Sequence, residues 1–530
     1  MRLIVLDGAE TIGGTKIYLE SGGTGLLLDF GINYKRWGLY YEEYIKPRAA
    51  RGLLDLLKLG LAPKIGGIYR DDLFPRGFRP NLSELPTEGV LISHAHLDHC
   101  GLLGLLRPEI PIYTSALSAA VMISVQESGR LDYYSELAYI NPRRPREEDP
   151  RALETGHWKK EAYLGRHWVI VDKTRVGEPL ALEALLTAPP NPRGRGLVPQ
   201  PVEGASERGR VGGLNYRSFP VDHSIPGAMA YAIETDRGWV VYTGDLRLSG
   251  GRGELTQEFV AAARELRPYL LIIEGTRAGE EGESRPQVSE AEVYENALRL
   301  VREHPGELVV GDFGPRNIER LESFLRVARE SGRRLLILAK DAHLLGALST
   351  ADPEYDLSKL DPDRSSLGIF DEVKIESHPW EERLRGRYAE RLVRPEEVHH
   401  DPGAFILALS YWDLKHLLDL ETEGGLYIYS SSESHTEEQK IDMQRLWNWL
   451  NFFGFEPAGF KMEGTEPHFP PGLHASGHAS GEELLWMAKE IRPEFLLPVH
   501  TEHPEFFHEG LQDRSITILE IPEATKVLEE

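Results

Sequence analysis

The chain has 530 residues, 41% of them hydrophobic, with a net charge of −24 and a single cysteine, Cys100. That length exceeds one hydrophobic core and implies two closely packed domains, and the lone thiol excludes an intrachain disulfide and thiolate-rich metal sites. The acidic balance argues against broad, nonspecific nucleic-acid binding but leaves room for a nuclease whose positive charge is local, metals included.

The N-terminus reaches Asp7 after the four apolar residues Leu3 to Leu6, so no signal peptide is expected. No run reaches the roughly 18 apolar residues of a membrane span, and a cytoplasmic protein without membrane contact is expected. From Leu3 to Phe30, apolar stretches alternate with the pairs Gly13-Gly14 and Gly22-Gly23, which predicts a β-meander ending at Leu26-Leu27-Leu28-Asp29-Phe30. Residues 41 to 62 read as helical.

Next comes Ser93-His94-Ala95-His96-Leu97-Asp98-His99, set between apolar Gly89–Ile92 and Gly101–Leu106, where a strand passes into a helix. An i, i+2 pair leaving a strand points both imidazoles one way, while Asp98 and His99 face a second point nearby. Imidazole and carboxylate are the ligands of zinc or a similar divalent ion. Four ligands divided between two directions suit two metals better than one; the plain alternative is a His-rich surface turn.

Segment 141 to 215 holds Arg143-Arg144-Pro145-Arg146 and a Pro/Gly/Arg-rich stretch, 189 to 213, expected as a loop or partly disordered. Its Arg193, Arg195, Arg208 and Arg210 offer phosphate contacts, although a solvated loop also accounts for them. Strands follow at 228–234, 238–243 and 269–274. Ser289-Glu290-Ala291-Glu292 is a capping box, and beyond it strands 308–311, 335–339, 404–410 and 426–430 alternate with helices 316–330 and 436–452. That is the pattern of a parallel α/β domain. Helix 481–491 and strand 494–499 close the chain, the strand ending at His500.

A two-metal site needs further ligands at strand ends. His223 precedes one strand, Asp245 closes the next with an oxygen for each of two metals, and His500 follows the last. Loop histidines and a turn-forming Asp are the alternatives.

These motifs resemble the metallo-β-lactamase fold, an αββα sandwich with a two-metal hydrolase site. The resemblance assigns His94, His96, His223 and Asp245 to one metal and Asp98, His99 and Asp245 to the other, with Asp29 as the buried acid that orients ligands from behind. Glu274-Gly275-Thr276, His474-Ala475-Ser476-Gly477-His478 and Pro498-Val499-His500 are similar to the three further motifs of the β-CASP nucleases. The division implied is 1–275 and 474–530 for the two parts of the metallo-β-lactamase domain, and 276–473 for an inserted β-CASP α/β domain. In that group the last His, here His500, completes the second metal, and its presence favours RNA, since DNA-acting members usually carry Val. His478 sits opposite the metals, paired with Glu274.

The His-Ala-Ser-Gly-His segment and Ser430-Ser431-Ser432 look like RNase J. Two features depart from it: His-Ala-His-Leu-Asp-His is closer to the cleavage-and-polyadenylation nucleases, and the sequence ends 30 residues after His500, short of the C-terminal domain of RNase J. The resemblance implies a ribonuclease holding two divalent ions, zinc or in its place manganese, and acting on single-stranded RNA; a homodimer stays open. Asp98, Glu274 and His478 are the expected catalytic residues, His478 as the acid that protonates the leaving oxygen. Gly275, Thr276, Ser430, Ser431, His474 and Ser476 are the expected substrate-binding residues for a 5′-monophosphate, which implies 5′-to-3′ exonuclease action with some internal cleavage. A DNA-directed nuclease and a non-catalytic RNA-binding scaffold are the competing readings.

Overall fold

The computed structural model describes residues 1–530 except 43, 130–131, 156–160, 173–178, 191–193, 195, 280–287, 432–436, 512–515 and 521–530; Arg193, Arg195 and Ser432 lie outside the described residues. The opening meander forms as Arg2–Asp7, Lys16–Ser21 and Thr24–Leu28, antiparallel, with a register shift between Val5 and Asp7. It starts a seven-stranded sheet that continues, now parallel, through Val90–Leu91, Ile112–Thr114, Trp168–Ile170 and Val202–Gly204. A second seven-stranded sheet runs through Arg208–Val211, Leu214–Pro220, Met229–Thr235, Gly238–Tyr242, Leu270–Glu274, Phe495–Val499 and Thr517–Ile518.

Period-2 alternation decides how these sheets pack. Met229, Tyr231 and Ile233 point inward with Ile17, Leu19, Leu26 and Leu28 to make the core between the sheets. Ala230 and Ala232, one residue out of phase, face the helices Gly253–Leu266 and Gly481–Ile491. On the far side, Ile4, Tyr18 and Leu27 pack under the helices Leu53–Leu59 and Ala116–Ser128. The result is the αββα sandwich of the metallo-β-lactamase fold.

The chain leaves the second sheet after Glu274 and rejoins it at Phe495, so that Glu274 and Val499 are neighbours across parallel strands. In between stands a third sheet of seven parallel strands, in the order Leu392–Val393, Leu367–Phe370, Arg334–Ile337, Phe405–Ala408, Val309–Asp312, Gly425–Tyr429 and Phe455–Ala458. Two fully buried guanidiniums meet where it joins the sandwich. Arg320, on the insert helix Ile318–Ser331, forms a bidentate pair with Glu290 at 2.8 and 3.0 Å. Arg247, from the sandwich, reaches Asp222, Glu290 and Glu319 at 3.2, 3.4 and 2.5 Å. Glu290 thus bridges both cations, which satisfies charges that would otherwise be costly to bury.

Two local expectations are corrected. Residues 41 to 62 do not form one helix: Gly52 (φ 49°) and Gly60 (φ 70°) break the run, leaving the turn Ala49–Arg51 and the short helix Leu53–Leu59. Segment 189 to 213 is not plain loop, because Val202–Gly204 ends the first sheet and Arg208–Val211 begins the second. Short edge strands rich in Gly and Arg carry no alternation for a sequence reading to find. Among the described residues, no helix is long and apolar enough to cross a membrane.

Asp312, ending its strand in the third sheet, is buried and accepts a hydrogen bond from Tyr427 Oη at 2.6 Å. Burial, reinforced by Asp413 and opposed by that hydrogen bond, raises its pKa from 3.8 to about 7. The folded state therefore holds a proton that the unfolded state has released, so the stability linked to it is full below about pH 4 and lost as pH climbs to about 7. Asp312→Asn should gain stability relative to wild type between about pH 5 and pH 8, by on the order of 2 kcal/mol in urea unfolding. A difference that does not change with pH contradicts this.

Candidate metal centre

The ligand candidates sit at or just beyond the carboxyl ends of strands, His94 to His99 after Val90–Leu91, His223 after Leu214–Pro220, Asp245 after Gly238–Tyr242 and His500 after Phe495–Val499, and so does Asp29, after Thr24–Leu28. Open α/β sheets place their sites along that edge. The side chains fall into adjoining groups. His94, His96 and His223 converge, with His96 Nδ1 3.0 Å from His94 Nε2 and 3.2 Å from His223 Nε2. Asp98, His99 and His500 form a second group, His500 Nε2 lying 3.3 Å and His99 Nε2 3.8 Å from Asp98 Oδ2. Asp245 Oδ2 lies between them, 3.0 Å from His99 Nε2, 3.7 Å from His94 Nε2 and 3.8 Å from His500 Nε2.

The outer nitrogens show which lone pairs face inward. Ser93 Oγ donates to Asp29 at 2.7 Å and so accepts from His94 Nδ1 at 3.0 Å. His99 Nδ1 donates to Asp29 Oδ2 at 2.7 Å, and His223 Nδ1 to Gly477 O at 2.5 Å. Thr276 Oγ1 donates to Glu274 Oε2 at 2.7 Å and accepts from His500 Nδ1 at 2.9 Å. Four imidazoles therefore turn Nε2 toward the centre, the arrangement that outer partners give to metal-binding histidines. His99 Nε2 and Asp245 Oδ1 are buried with no hydrogen-bond partner. Buried polar atoms without partners are rare, and a divalent cation is what this donor set would satisfy.

Charge agrees with that fit. Burial and the neighbouring imidazoles push His94 and His223 well below their ordinary pKa, and burial takes His96 down to about 3, so these three are neutral at physiological pH. Burial also works against charge on His99, but Asp245, Asp98 and Asp29 outweigh it and raise the group well above 6.5. Three carboxylates around one imidazole are a demand for positive charge.

The first loop closes the site from the meander side. Gly8 O accepts from His500 N at 2.7 Å and Gly14 N donates to Asp98 O at 3.0 Å. Buried Lys16 pins that loop through Gly14 O and Gly31 O, at 2.8 and 2.7 Å, with Asp7 as its counter-ion at 3.1 Å. A Cβ at Gly13 (φ 82°) would sit 2.9 Å from Asp98 Oδ2, so only glycine fits there. No sequence pattern marked Lys16, because its partners are backbone carbonyls brought together by folding.

His478 stands at the rim, Nδ1 2.9 Å from Glu274 Oε2, while Glu274 Oε1 accepts from Leu246 N at 2.8 Å. Its Nδ1 is also 4.0 Å from Asp245 Oδ2, and it forms a further ligand-like group with His223 and Asp245. Ser431, His474 and Ser476 are half-buried. His474 Nδ1 has no hydrogen-bond partner, and Ser476 Oγ accepts from His478 N at 3.1 Å. Three residues expected at the substrate are engaged elsewhere. Ser430 is buried, bonded to Leu473 O and Arg320. Thr276 links Glu274 to His500, and Gly275 makes room for Thr501 and Phe507.

Comparison with known proteins agrees with this geometry. Residues 472–512 match the Zn-dependent metallo-hydrolase RNA specificity domain. The chain is 21% identical over 514 residues to Ribonuclease J of Pyrococcus abyssi, covering 96% of this chain and 91% of that one. It is 23% identical over 499 residues to Ribonuclease J of Sinorhizobium meliloti, covering 92% and 69%. Against Ribonuclease J of Mycoplasma pneumoniae it is 24% identical over 301 residues, 54% of this chain, and spans under half, 45%, of that protein's length. A protein of unknown function from Enterococcus faecalis V583 shares the fold, with a TM-score of 0.66 and 21% identity over 99% of both chains.

Asp29 makes the sharpest test of the centre, since it holds His99 and Ser93 from behind. Asp29→Asn should weaken zinc binding by about 10- to 100-fold, as loss of a partner behind a ligand does, read by competition with a chromogenic chelator. Unchanged affinity in a folded variant contradicts the assignment.

Proposed function

We propose that this chain is a metal-dependent ribonuclease with two divalent ions, zinc or manganese, held by His94, His96, His223, Asp98, His99, His500 and the shared Asp245. Residues 1–275 and 474–530 make the metallo-β-lactamase domain of this reading, and 276–473 the β-CASP insert. The observation that carries it is the convergence of these ligands around Asp245, with the Glu274–His478 pair facing them. RNA as substrate rests on the matched RNA specificity domain and on the Ribonuclease J relatives.

When bound, a pair of such ions supplies Lewis acidity, activating water near neutral pH and neutralising charge on the phosphoryl oxygens. The remaining need is a proton for the departing sugar oxygen, worth roughly 100- to 10,000-fold in rate. Burial works against a charged His478, but Glu274 and its hydrogen bond override this and hold the pKa at about 9. His478 therefore carries its second proton at neutral pH. Nδ1–H is committed to Glu274, which leaves Nε2–H to donate. Glu274 in turn is fixed by Leu246 N and Thr276.

His478→Ala should keep the metal content and RNA affinity of the wild type while turnover falls by roughly 100-fold or more. Loss of metal along with activity would make His478 a ligand, as its place near His223 and Asp245 permits.

Ser431, His474 and Ser476, the residues expected at the substrate, carry no permanent charge; burial first, then Arg320, lowers the pKa of His474 to about 4. Such a pocket suits a 5′-monophosphate better than a bulkier triphosphate, and supports 5′-to-3′ release of mononucleotides. Digestion of RNA labelled at its 3′ end, carrying a 5′-hydroxyl, monophosphate or triphosphate, tests this. Mononucleotide release fastest from the monophosphate is expected. Equal rates with only internal fragments would leave an endonuclease, and faster attack on DNA than on RNA would favour a DNA-directed enzyme.

A further inference from the structure

The metal centre is lined by imidazoles and carboxylates, yet its proposed substrate is a polyanion. The permanent cation that bears on it comes from the other domain. Arg316 lies in the loop after the insert strand Val309–Asp312, and its Nη1 is 3.5 Å from Ala95 O, the carbonyl between His94 and His96. Its charge also reaches His96, Cys100 and Tyr34.

Among the described residues Arg316 meets no counter-ion; buried Arg166 and Arg333 meet none either, but commit their guanidiniums to backbone carbonyls. Arg70, Arg247, Arg320 and Arg391 each meet a carboxylate at 3.2 Å or closer. Arg316 is half-buried and forms no ion pair among the described residues, and its contact with Ala95 O is long. In a chain with 84 acidic and 60 basic residues, acids to neutralise it are plentiful. A guanidinium carries five donors in a planar fork that matches phosphate oxygens in pairs, and here nearly all of that capacity is unused.

We propose that Arg316 is a substrate-binding residue whose guanidinium takes the RNA phosphodiester lying at the metal centre, holding its non-bridging oxygens from the insert side while the metal ligands approach from the sandwich side. This rests on the ribonuclease reading. The contact is to backbone phosphate, so it strengthens binding of any RNA sequence equally. Because Arg316 and the ligands belong to different domains, an occupied site also ties the insert to the sandwich across the cleft.

The test uses metal-loaded wild-type, Arg316→Gln and Arg316→Lys proteins, with a hydrolysis-resistant 2′-O-methyl RNA oligonucleotide titrated over a range of salt concentrations. Metal content and turnover of ordinary RNA are measured alongside. Arg316→Gln should bind about tenfold or more weakly. The slope of log affinity against log salt should fall by about 0.7, the value for one phosphate contact on a single strand. Metal content should stay at the wild-type level. Arg316→Lys should keep the slope, since the charge remains, while losing affinity with the fork. A variant that binds like wild type with an unchanged slope overturns the inference, and so does loss of metal, which would make Arg316 a support for the Ala95 loop. Wild-type protein that neither binds nor cleaves RNA removes the ribonuclease reading and this one together; wild type that does both, beside an unaltered Arg316→Gln, removes this one alone.

Discussion

The centre depends on one buried carboxylate. Asp29 has no exposure to solvent and accepts four hydrogen bonds, from Ser93 N, Ser93 Oγ, His99 Nδ1 and Tyr242 Oη, at 2.7, 2.7, 2.7 and 2.5 Å. A buried anion is tolerable only when its lone pairs are met, and these donors come from both sheets of the sandwich. The requirement runs in both directions: the sheets must stack in one register to satisfy Asp29, and satisfying it fixes the rings of His94 and His99. The backbone of Asp29 is itself in the left-handed region (φ 56°), as is that of His500 (φ 53°). Non-glycine residues take that conformation seldom and at some cost; here it turns the chain sharply at two strand ends that carry site residues.

On the proposed reading the sandwich supplies the imidazoles and acids that would hold cations, and closes them in with backbone contacts from Gly8, Gly14 and the Lys16 clamp. At the seam it also brings Arg247, while the insert brings Arg320, neutralised by Glu290, and Arg316, which meets no counter-ion among the described residues. That puts local positive charge beside the centre in a chain whose net charge is −24.

How much of this was legible depended on distance along the chain. His94, His96, Asp98 and His99 announce themselves because a strand end projects close neighbours to one place. His223, Asp245 and His500 could be picked out as strand-end residues, but their meeting around one point is a product of sheet order. Leu270–Glu274 pairs with Phe495–Val499 across more than 200 residues, and no local pattern encodes that. The expected substrate residues show the same limit: Ser430 and Thr276 look available in sequence, and folding engages their hydroxyls with Leu473 O, Glu274 and His500. In the insert, the strands Leu367–Phe370 and Leu392–Val393 were not read at all, being short and set among helices and turns. Arg316 was hidden for another reason: the sequence reading places it at the start of helix 316–330, whereas the helix begins at Ile318 and the loop before it carries Arg316 to Ala95 O.

The central claim is that two divalent ions share Asp245, one among His94, His96 and His223 and the other among Asp98, His99 and His500. Anomalous scattering at the zinc edge, from crystals of metal-loaded protein, measures this directly. Two peaks about 3.5–4 Å apart, the spacing of two-metal hydrolytic sites, each in contact with Asp245, is the predicted result. A single peak, or ions held away from Asp245, contradicts it.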